Sequence, residues 1–164
     1  VPVFVHKPAN STGEPESLDS ILYATTLSPL HDRIVPYLKY EGLSASTLFL
    51  LHVGRRAPDP EAERNRRQRI VQELTHVMEE CRDCFDTLKP ITEVGNPRSK
   101  ISRVASLHGV DVIVLGKMER GAGLGKTLGS TAETTTHRAQ CSILIVPAAR
   151  LERPQQDNDS RHAS

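Results

Sequence analysis

The 164-residue sequence lacks an excess of charge, paired cysteines and long apolar runs. Its 21 basic and 20 acidic side chains leave a formal charge of +1, so no overall field favours binding to nucleic acid or to a membrane surface. The odd count of three cysteines provides no disulfide framework, and we therefore expect a reducing, cytoplasmic location. No apolar run reaches the roughly 18 residues that cross a bilayer. The length predicts one domain.

Catalytic motifs are also lacking. The seven histidines show no metal-binding spacing such as H-x-x-x-H, and the sequence contains neither a G-x-S-x-G motif nor a paired-carboxylate motif. The patterns S-G-G-x-D-S and H-x-G-H, which mark enzymes of related nucleotide-binding folds, are absent as well. We therefore expect a protein that binds a ligand or a partner and is not an enzyme.

Short apolar runs and helical patterns alternate along the chain. Strands are predicted at 21–27, 46–53, 91–94, 111–116 and 142–146. The helices between them are predicted at 28–42, 61–87, 97–109 and 130–139. In the first helix Ser28 is the expected N-cap, Pro29 the first helical residue, and Pro36 a kink or an early end. The alternation predicts an α/β fold with a parallel sheet covered by helices on both faces.

Both ends of the chain differ in composition from the middle. Residues 20–147 form the predicted domain, residues 9–19 a polar linker, and residues 148–164 a disordered tail too polar to pack. The segment VPVFVHKP (1–8) alternates like a strand and resembles the last predicted strand, SILIVP. It predicts an extra edge strand or the remnant of a preceding, similar domain, and a disordered leader is the alternative. The absence of an initiator methionine favours a piece of a longer protein.

Two other motifs favour a structural interpretation. Cys81 and Cys84 form C-x-x-C late in the predicted second helix, where spacing i, i+3 indicates packing on one face rather than a redox or zinc pair. The basic run RNRRQR (64–69) has acidic neighbours and predicts a solvated helix face, with contact to a phosphate as the alternative.

The glycine-rich segment GKMERGAGLGKTLGS (116–130) indicates a phosphate site. It follows a predicted buried strand, and ligands of parallel sheets bind beyond the carboxyl ends of the strands. A P-loop needs a glycine five residues before Gly125, but that position is Arg120. The one strand that follows also ends without the aspartate that such ATPases use for magnesium. A P-loop is therefore not expected.

A different pattern fits this half of the chain. The G-x-P of Gly95 and Pro97, the strand DVIVLG and the closing Gly-Ser of the glycine-rich segment resemble the second half of a universal stress protein domain. ILYATTLSP and STLFLLHV resemble the first half. The resemblance covers residues 20–147 and implies a three-layer α/β/α fold similar to adenine nucleotide alpha hydrolases. It further implies a five-stranded parallel sheet, with strand order 3-2-1-4-5, and a homodimer that pairs through the last strand.

The resemblance also implies which residues meet a nucleotide. In nucleotide-binding members the loop holds the phosphates, and Gly116, Gly129 and Ser130 match its glycines and its closing hydroxyl residue. Lys117 and Lys126 add positive charge beside them.

Two positions depart from the family pattern. Glu119 stands where the family has the second glycine of the loop, and Thr26 stands where it has an aspartate that contacts the adenosine. A glutamate brings negative charge towards the phosphates, and a threonine is no charge-assisted acceptor. We therefore expect weak or degenerate binding of ATP or AMP, with Mg²⁺ as an accompanying ion.

The expected function is stress response or regulation through this nucleotide. The alternative is a dimerising interaction module without nucleotide, as part of a tandem stress protein or of a membrane transporter. Both hypotheses remain open on the sequence.

Overall fold

The computed structural model describes residues 2–7, 18–27, 31–39, 43–118 and 129–148. Six strands and four helices alternate over most of this part of the chain. Their bounds are β1 (Val3–Val5), β2 (Ser20–Thr25), α1 (His31–Leu38), β3 (Thr47–Gly54), α2 (Pro60–Cys81), β4 (Thr87–Val94), α3 (Pro97–Leu107), β5 (Val112–Met118), α4 (Ser130–Arg138) and β6 (Ser142–Ala148).

The strands form one sheet in the order β1-β6-β5-β2-β3-β4. Strands β2 to β6 are parallel and follow the predicted order, counted along the domain. The five parallel strands predicted for the domain are confirmed, and the sheet gains a sixth strand because β1 pairs antiparallel with β6 and places Val3 opposite Ile145, as the extra edge strand considered for residues 1–8 would do. An apolar edge strand leaves backbone groups unpaired, and β1 supplies their partners.

Two apolar clusters cover the two faces of the sheet. Side chains of α1 and α2, such as Ile34 and Leu74, pack with Ile21 and Tyr23 on one face. Side chains of α3 and α4 pack with Leu22 and its neighbours on the other face. Successive residues of a strand point to opposite faces, so β2 and β5 are buried on both sides. The three-layer α/β/α architecture is confirmed.

The segment that carries β1 is fixed by its last described residue. The Lys7 ammonium donates to the carbonyl of Thr136 at 2.7 Å and to that of Ala139, and both carbonyls lie at the end of α4. The Lys7 amide donates to Ser142 Oγ at 3.2 Å. Cations near a helix C-terminus satisfy its last carbonyls. The β6 edge expected to form a homodimer is therefore covered by β1, and pairing through β6 requires β1 to leave or to exchange.

The second helix ends six residues before the predicted position. Helix α2 begins after Asp59, whose carboxylate accepts from the Ala62 amide at 2.8 Å, and it ends at Cys81. Cys84 lies in the following turn, where its amide donates to the Cys81 carbonyl at 3.0 Å. The prediction that both cysteines share one helix face is wrong, because the chain turns here to begin β4. Burial raises the pKa of Cys81 to about 11, so this thiol is an inert packing residue.

The first helix is short, as the internal proline suggests. Helix α1 contains Pro36 and ends two residues later, at Leu38. The predicted cap at Ser28, the proline at 29 and the glycine at 42 lie outside the described residues. Within the described ranges, none of the helices combines the length and the apolarity needed to cross a membrane.

Candidate functional site

The sheet reverses its strand order between β2 and β5. Helix α1 follows β2 on one face, whereas α4 follows β5 on the other, so the chain diverges at the carboxyl ends of these two strands. Ligands of open parallel sheets bind in the crevice at such a point. Thr25 is the last residue of β2 and Thr26 follows it, and Gly116 lies near the end of β5. The structure thus brings the predicted residues Thr26 and Gly116 to the same end of the sheet.

The start of α4 forms one end of the crevice. Gly129 has φ +78° and ψ 146°, a conformation that favours glycine, and Ser130 is the first helical residue. Both residues are exposed, and within the described part of the chain no side chain caps α4. The first N–H groups of a helix have no partner within the helix, and together with the helix dipole they attract anions. Gly129 and Ser130 therefore lie where backbone donors are available to a phosphate.

The side chain of Arg98 reaches the start of α4. This residue was not predicted from the sequence as part of the site. Its Nη2 donates to Ser130 Oγ at 2.6 Å. Arg98 is the second residue of α3, directly after the G-x-P turn, in which Gly95 has φ +140° and Asn96 caps the helix. A signal was present: two predicted helices begin at the same end of a parallel sheet, and one of them has an arginine in its first turn.

Gly116 has a packing reason that needs no ligand. A Cβ at this position would lie 2.5 Å from Ile34 Cδ1, which is shorter than any ordinary contact. Glycine therefore lets α1 approach the end of β5. Lys117 is the next residue of β5, half-buried, and strand alternation directs it to the face of α3 and α4. The predicted Lys126 and the departure at Glu119 lie outside the described residues.

Buried polar side chains form the other end of the crevice, around the end of β2. Tyr23 Oη and His31 Nδ1 are hydrogen-bonded at 3.1 Å, and Thr25 Oγ1 accepts from the amide of Leu27 at 3.0 Å. Burial raises the pKa of Tyr23 to about 12 and lowers the pKa of His31. These side chains hold the turn that carries the exposed Thr26.

His52 links the ends of β2 and β3. Its Nδ1 donates to the Thr25 carbonyl at 3.2 Å. Burial and the nearby Arg66 lower the pKa of His52, while the hydrogen bond to Thr25 acts in the opposite direction. A neutral imidazole with Nδ1 protonated has Nε2 as an acceptor. His52 was not predictable as a site residue, because a lone histidine at a strand end carries no motif.

Glu63 organises the basic run of α2. Its carboxylate accepts from Arg66 Nε at 2.9 Å and Nη2 at 2.8 Å, from Arg67 Nε at 3.0 Å, and from the Ala57 amide at 2.8 Å. These bonds hold the pKa of Glu63 well below its usual range. The prediction of a solvated face fits Arg64, Arg67 and Arg69, which are exposed, but not Arg66, whose side chain is 23% exposed.

The described residues contain no cluster of three or more histidine, cysteine, aspartate or glutamate side chains that is suited to a metal ion. Among the residues that the structure describes, the polar groups at this end of the sheet include the backbone amides at the start of α4, the guanidinium groups of Arg98 and Arg66, and the imidazoles of His31 and His52. Donors of this kind are suited to hydrogen bonds with an anionic group.

Comparisons with known proteins agree with the fold. The model of the universal stress protein family matches residues 18–147. Comparison of the sequence with curated proteins gives no match.

Solved structures share the same architecture. The hypothetical protein MJ0577 is 26% identical, with a TM-score of 0.60 and coverage of 80% of this chain and 96% of that chain. A universal stress protein in complex with cAMP is 18% identical, with a TM-score of 0.58 and coverage of 80% and 98%. A family protein from Arabidopsis thaliana with AMP bound is 17% identical, with a TM-score of 0.57 and coverage of 84% and 97%. The family model spans most of the chain, and the chain belongs to the universal stress protein family.

Proposed function

We propose that the protein is a stress-response or regulatory protein that binds ATP or AMP weakly in the crevice between β2 and β5. The observation that carries this proposal is the start of α4, where Gly129 and Ser130 are exposed, no side chain of the described residues caps the helix, and Arg98 contributes a guanidinium. Phosphate oxygens are the natural acceptors for this combination of donors.

The dimensions of the crevice support a nucleotide. Neighbouring strands lie about 4.8 Å apart, so the end of β3 is roughly 10 Å from the end of β5, with β2 between them. A nucleoside with its phosphate extends over this distance. The family proteins solved with cAMP and with AMP support the same ligand class.

We propose binding without catalysis. Three titratable groups of the described residues near the crevice already serve the fold: His31 pairs with Tyr23, His52 with the Thr25 carbonyl, and Glu63 with its arginines. None of them is left as an ionised general base. We also propose a cytoplasmic location, since all three cysteines are free and burial raises the pKa of Cys81 and Cys141.

Isothermal titration calorimetry of the protein tests this function. We expect saturable binding of AMP and Mg-ATP. Adenosine should bind more weakly, because the hydrogen-bond donors at the start of α4 then have no phosphate to contact. Pyrophosphate alone should also bind, since the start of α4 recognises phosphate. Absence of heat with all four ligands at millimolar concentration would overturn the proposal.

A second candidate function is an interaction module. Val3 and Phe4 on β1 are 47% and 52% exposed, although they are large apolar side chains at the edge of the sheet. Edge strands of this kind pair with further strands. In this case the protein acts through a homodimer or another partner, within a tandem stress protein or a transporter. Analytical ultracentrifugation of the protein and of a variant lacking residues 1–7 separates the two states, and a concentration-independent monomer in both would contradict this function.

A further inference from the structure

Helix α4 has little stability of its own. It is nine residues long, and two of them, Ala132 and Thr135, are buried. Isolated helices shorter than roughly 12–15 residues are marginal in water. Thr134, Thr135 and Thr136 each donate a side-chain hydrogen bond to the carbonyl four residues earlier, a kind of bond that weakens and bends a helix. The contacts of α4 with other elements therefore decide how fully it is formed.

Side chains from other elements hold α4 at both ends. At its start, Arg98 of α3 donates to Ser130 Oγ at 2.6 Å, beside the backbone donors proposed to bind phosphate. At its end, the Lys7 ammonium donates to the carbonyls of Thr136 and Ala139. An anion at the start of a helix and a cation at its end both stabilise the helix. The two ends of α4 thus favour the same formed state.

Lys7 also ties α4 to the edge of the sheet. It follows β1 by two residues, and its amide donates to Ser142 Oγ, at the start of β6, at 3.2 Å. Strand β1 forms three residue pairs with β6, so the contacts of Lys7 are a large share of what holds this segment. Opening of the segment takes the ammonium away from α4, and loosening of α4 takes the carbonyls away from Lys7. We therefore expect β1 and α4 to open together.

We propose that α4 couples the phosphate site to β1, so that a bound nucleotide strengthens the pairing of β1 with β6. When the nucleotide leaves, α4 is less fully formed, β1 opens more often, and the β6 edge is exposed for more of the time. This inference rests on the proposed function, because the ligand at the start of α4 is the phosphate of that nucleotide. Coupling is reciprocal, so the docked β1 raises the affinity for phosphate by the same factor.

The length of α4 separates this coupling from direct attraction between charges. Nine helical residues extend over about 13 Å, which exceeds the Debye length of about 8 Å at physiological salt. Direct attraction between the Lys7 ammonium and a phosphate at the other end is therefore largely screened. The hydrogen bonds of Lys7 to α4 are partly buried and are screened much less. An effect of Lys7 that passes through α4 should persist at high salt.

Calorimetry with pyrophosphate at low and high salt tests the coupling in matched lysine variants. Lys7→Met removes the ammonium, and we expect it to bind pyrophosphate about fivefold more weakly than the wild type at both salt concentrations. Lys7→Arg retains a charged donor and should recover most of the affinity. Lys39→Met controls for the loss of one positive charge, because Lys39 is exposed and lies directly after α1, and it should bind like the wild type.

Amide exchange in the wild-type protein tests the reciprocal direction without any substitution. Saturating pyrophosphate should slow the exchange of the β1 amides by a similar factor, about five. The amides of β4, at the opposite edge of the sheet, are the internal control and should slow less. This measurement decides the matter even if Lys7→Met fails to fold.

The outcomes separate this inference from the proposed function. If the wild type binds pyrophosphate and AMP but β1 and β4 slow equally, the coupling is wrong and the nucleotide site stands. The same holds if Lys7→Met binds as tightly as the wild type, or if its deficit disappears at high salt. If the wild type binds neither ligand, both proposals fall.

Discussion

The two ends of the crevice are built in different ways. At the start of α4 the donors are backbone amides and the exposed side chains of Ser130 and Arg98. At the ends of β2 and β3 the polar groups are buried or half-buried and already bonded to one another, as His31 is to Tyr23. Substitutions of the exposed side chains at the first end should therefore change binding with little change in stability. Substitutions at the second end should change both.

Gly129→Val should have the largest effect and tests the phosphate end directly. A β-branched residue is strained at φ +78°, so the start of α4 shifts and phosphate binding falls by roughly a hundredfold or more. Gly109→Val is the matched control, because Gly109 also has a positive φ and also has no atom near its missing Cβ. Calorimetry with pyrophosphate and thermal unfolding should show similar losses of stability but a loss of binding in Gly129→Val alone. Equal binding losses would mean that unfolding, and not the site, explains them.

Thr26→Asp tests whether the departure from the family pattern weakens binding. A carboxylate next to the ribose accepts charge-assisted hydrogen bonds, which are roughly twice as strong as neutral ones. We expect AMP to bind about tenfold more tightly and pyrophosphate to bind no better. Thr26→Asn introduces a side chain with the shape of aspartate but without its charge, and it should increase the affinity for AMP only slightly. Weaker AMP binding by the aspartate variant than by the asparagine variant would contradict the adenosine contact that the family resemblance implies for position 26.

Arg98→Met should have a smaller effect, confined to the phosphate end. The guanidinium is exposed, so its attraction for phosphate is reduced by solvent, and we expect a loss of a few-fold that shrinks at high salt. Arg103→Met, an exposed position on the same helix, should leave binding unchanged. The readout is pyrophosphate affinity at two salt concentrations. A loss that is the same in both variants would remove Arg98 from the site.

A pH dependence of stability should distinguish the end of the crevice at β2 and β3 from the start of α4. Burial lowers the folded-state pKa of His31 and of His52 below the unfolded value, near 6.5. Below about pH 6.5 the unfolded chain thus binds more protons, and the free energy of unfolding falls by at most about 1.4 kcal/mol per pH unit for each histidine.

Denaturant unfolding at pH 7.5 and 5.5 measures this slope. His31→Asn should reduce the slope and leave the contribution of His52, whereas replacement of the exposed His137 on α4 should not change it. An unchanged pH dependence of the free energy of unfolding in His31→Asn would mean that groups other than His31 cause it.

Much of the fold was predictable because it depends on patterns that the chain repeats. Buried strands such as β5 and the start of α3 at Pro97 follow from apolar runs and turn residues. The end of α2 was not predictable, because Phe85 continued the helical spacing beyond Cys81 although the chain had already turned. Periodicity cannot show which apolar residue belongs to the following turn.

The site was predictable from the sequence only where a motif fixes the position of backbone groups. Gly129 and Ser130 were found by their spacing, whereas Arg98, His52 and Arg66 owe their positions to contacts across the sheet and between helices. Gly116 illustrates the opposite case: the motif selected it, but Ile34 explains it. A glycine in a motif can therefore be required by packing, as Gly116 is, and the motif alone does not show whether a side chain or a ligand needs the space.

The contacts of Lys7 have a consequence for the order of folding. They join positions 135 and 129 residues apart in the chain, so the segment returns to β6 only after the parallel strands and α4 have formed. The three residue pairs of β1 with β6 are then the last contacts to form and the first to open. Amide exchange in β1 should be faster than in β5, which is enclosed by strands on both sides. We therefore expect transient exposure of the β6 edge in the folded protein, without unfolding of the parallel strands.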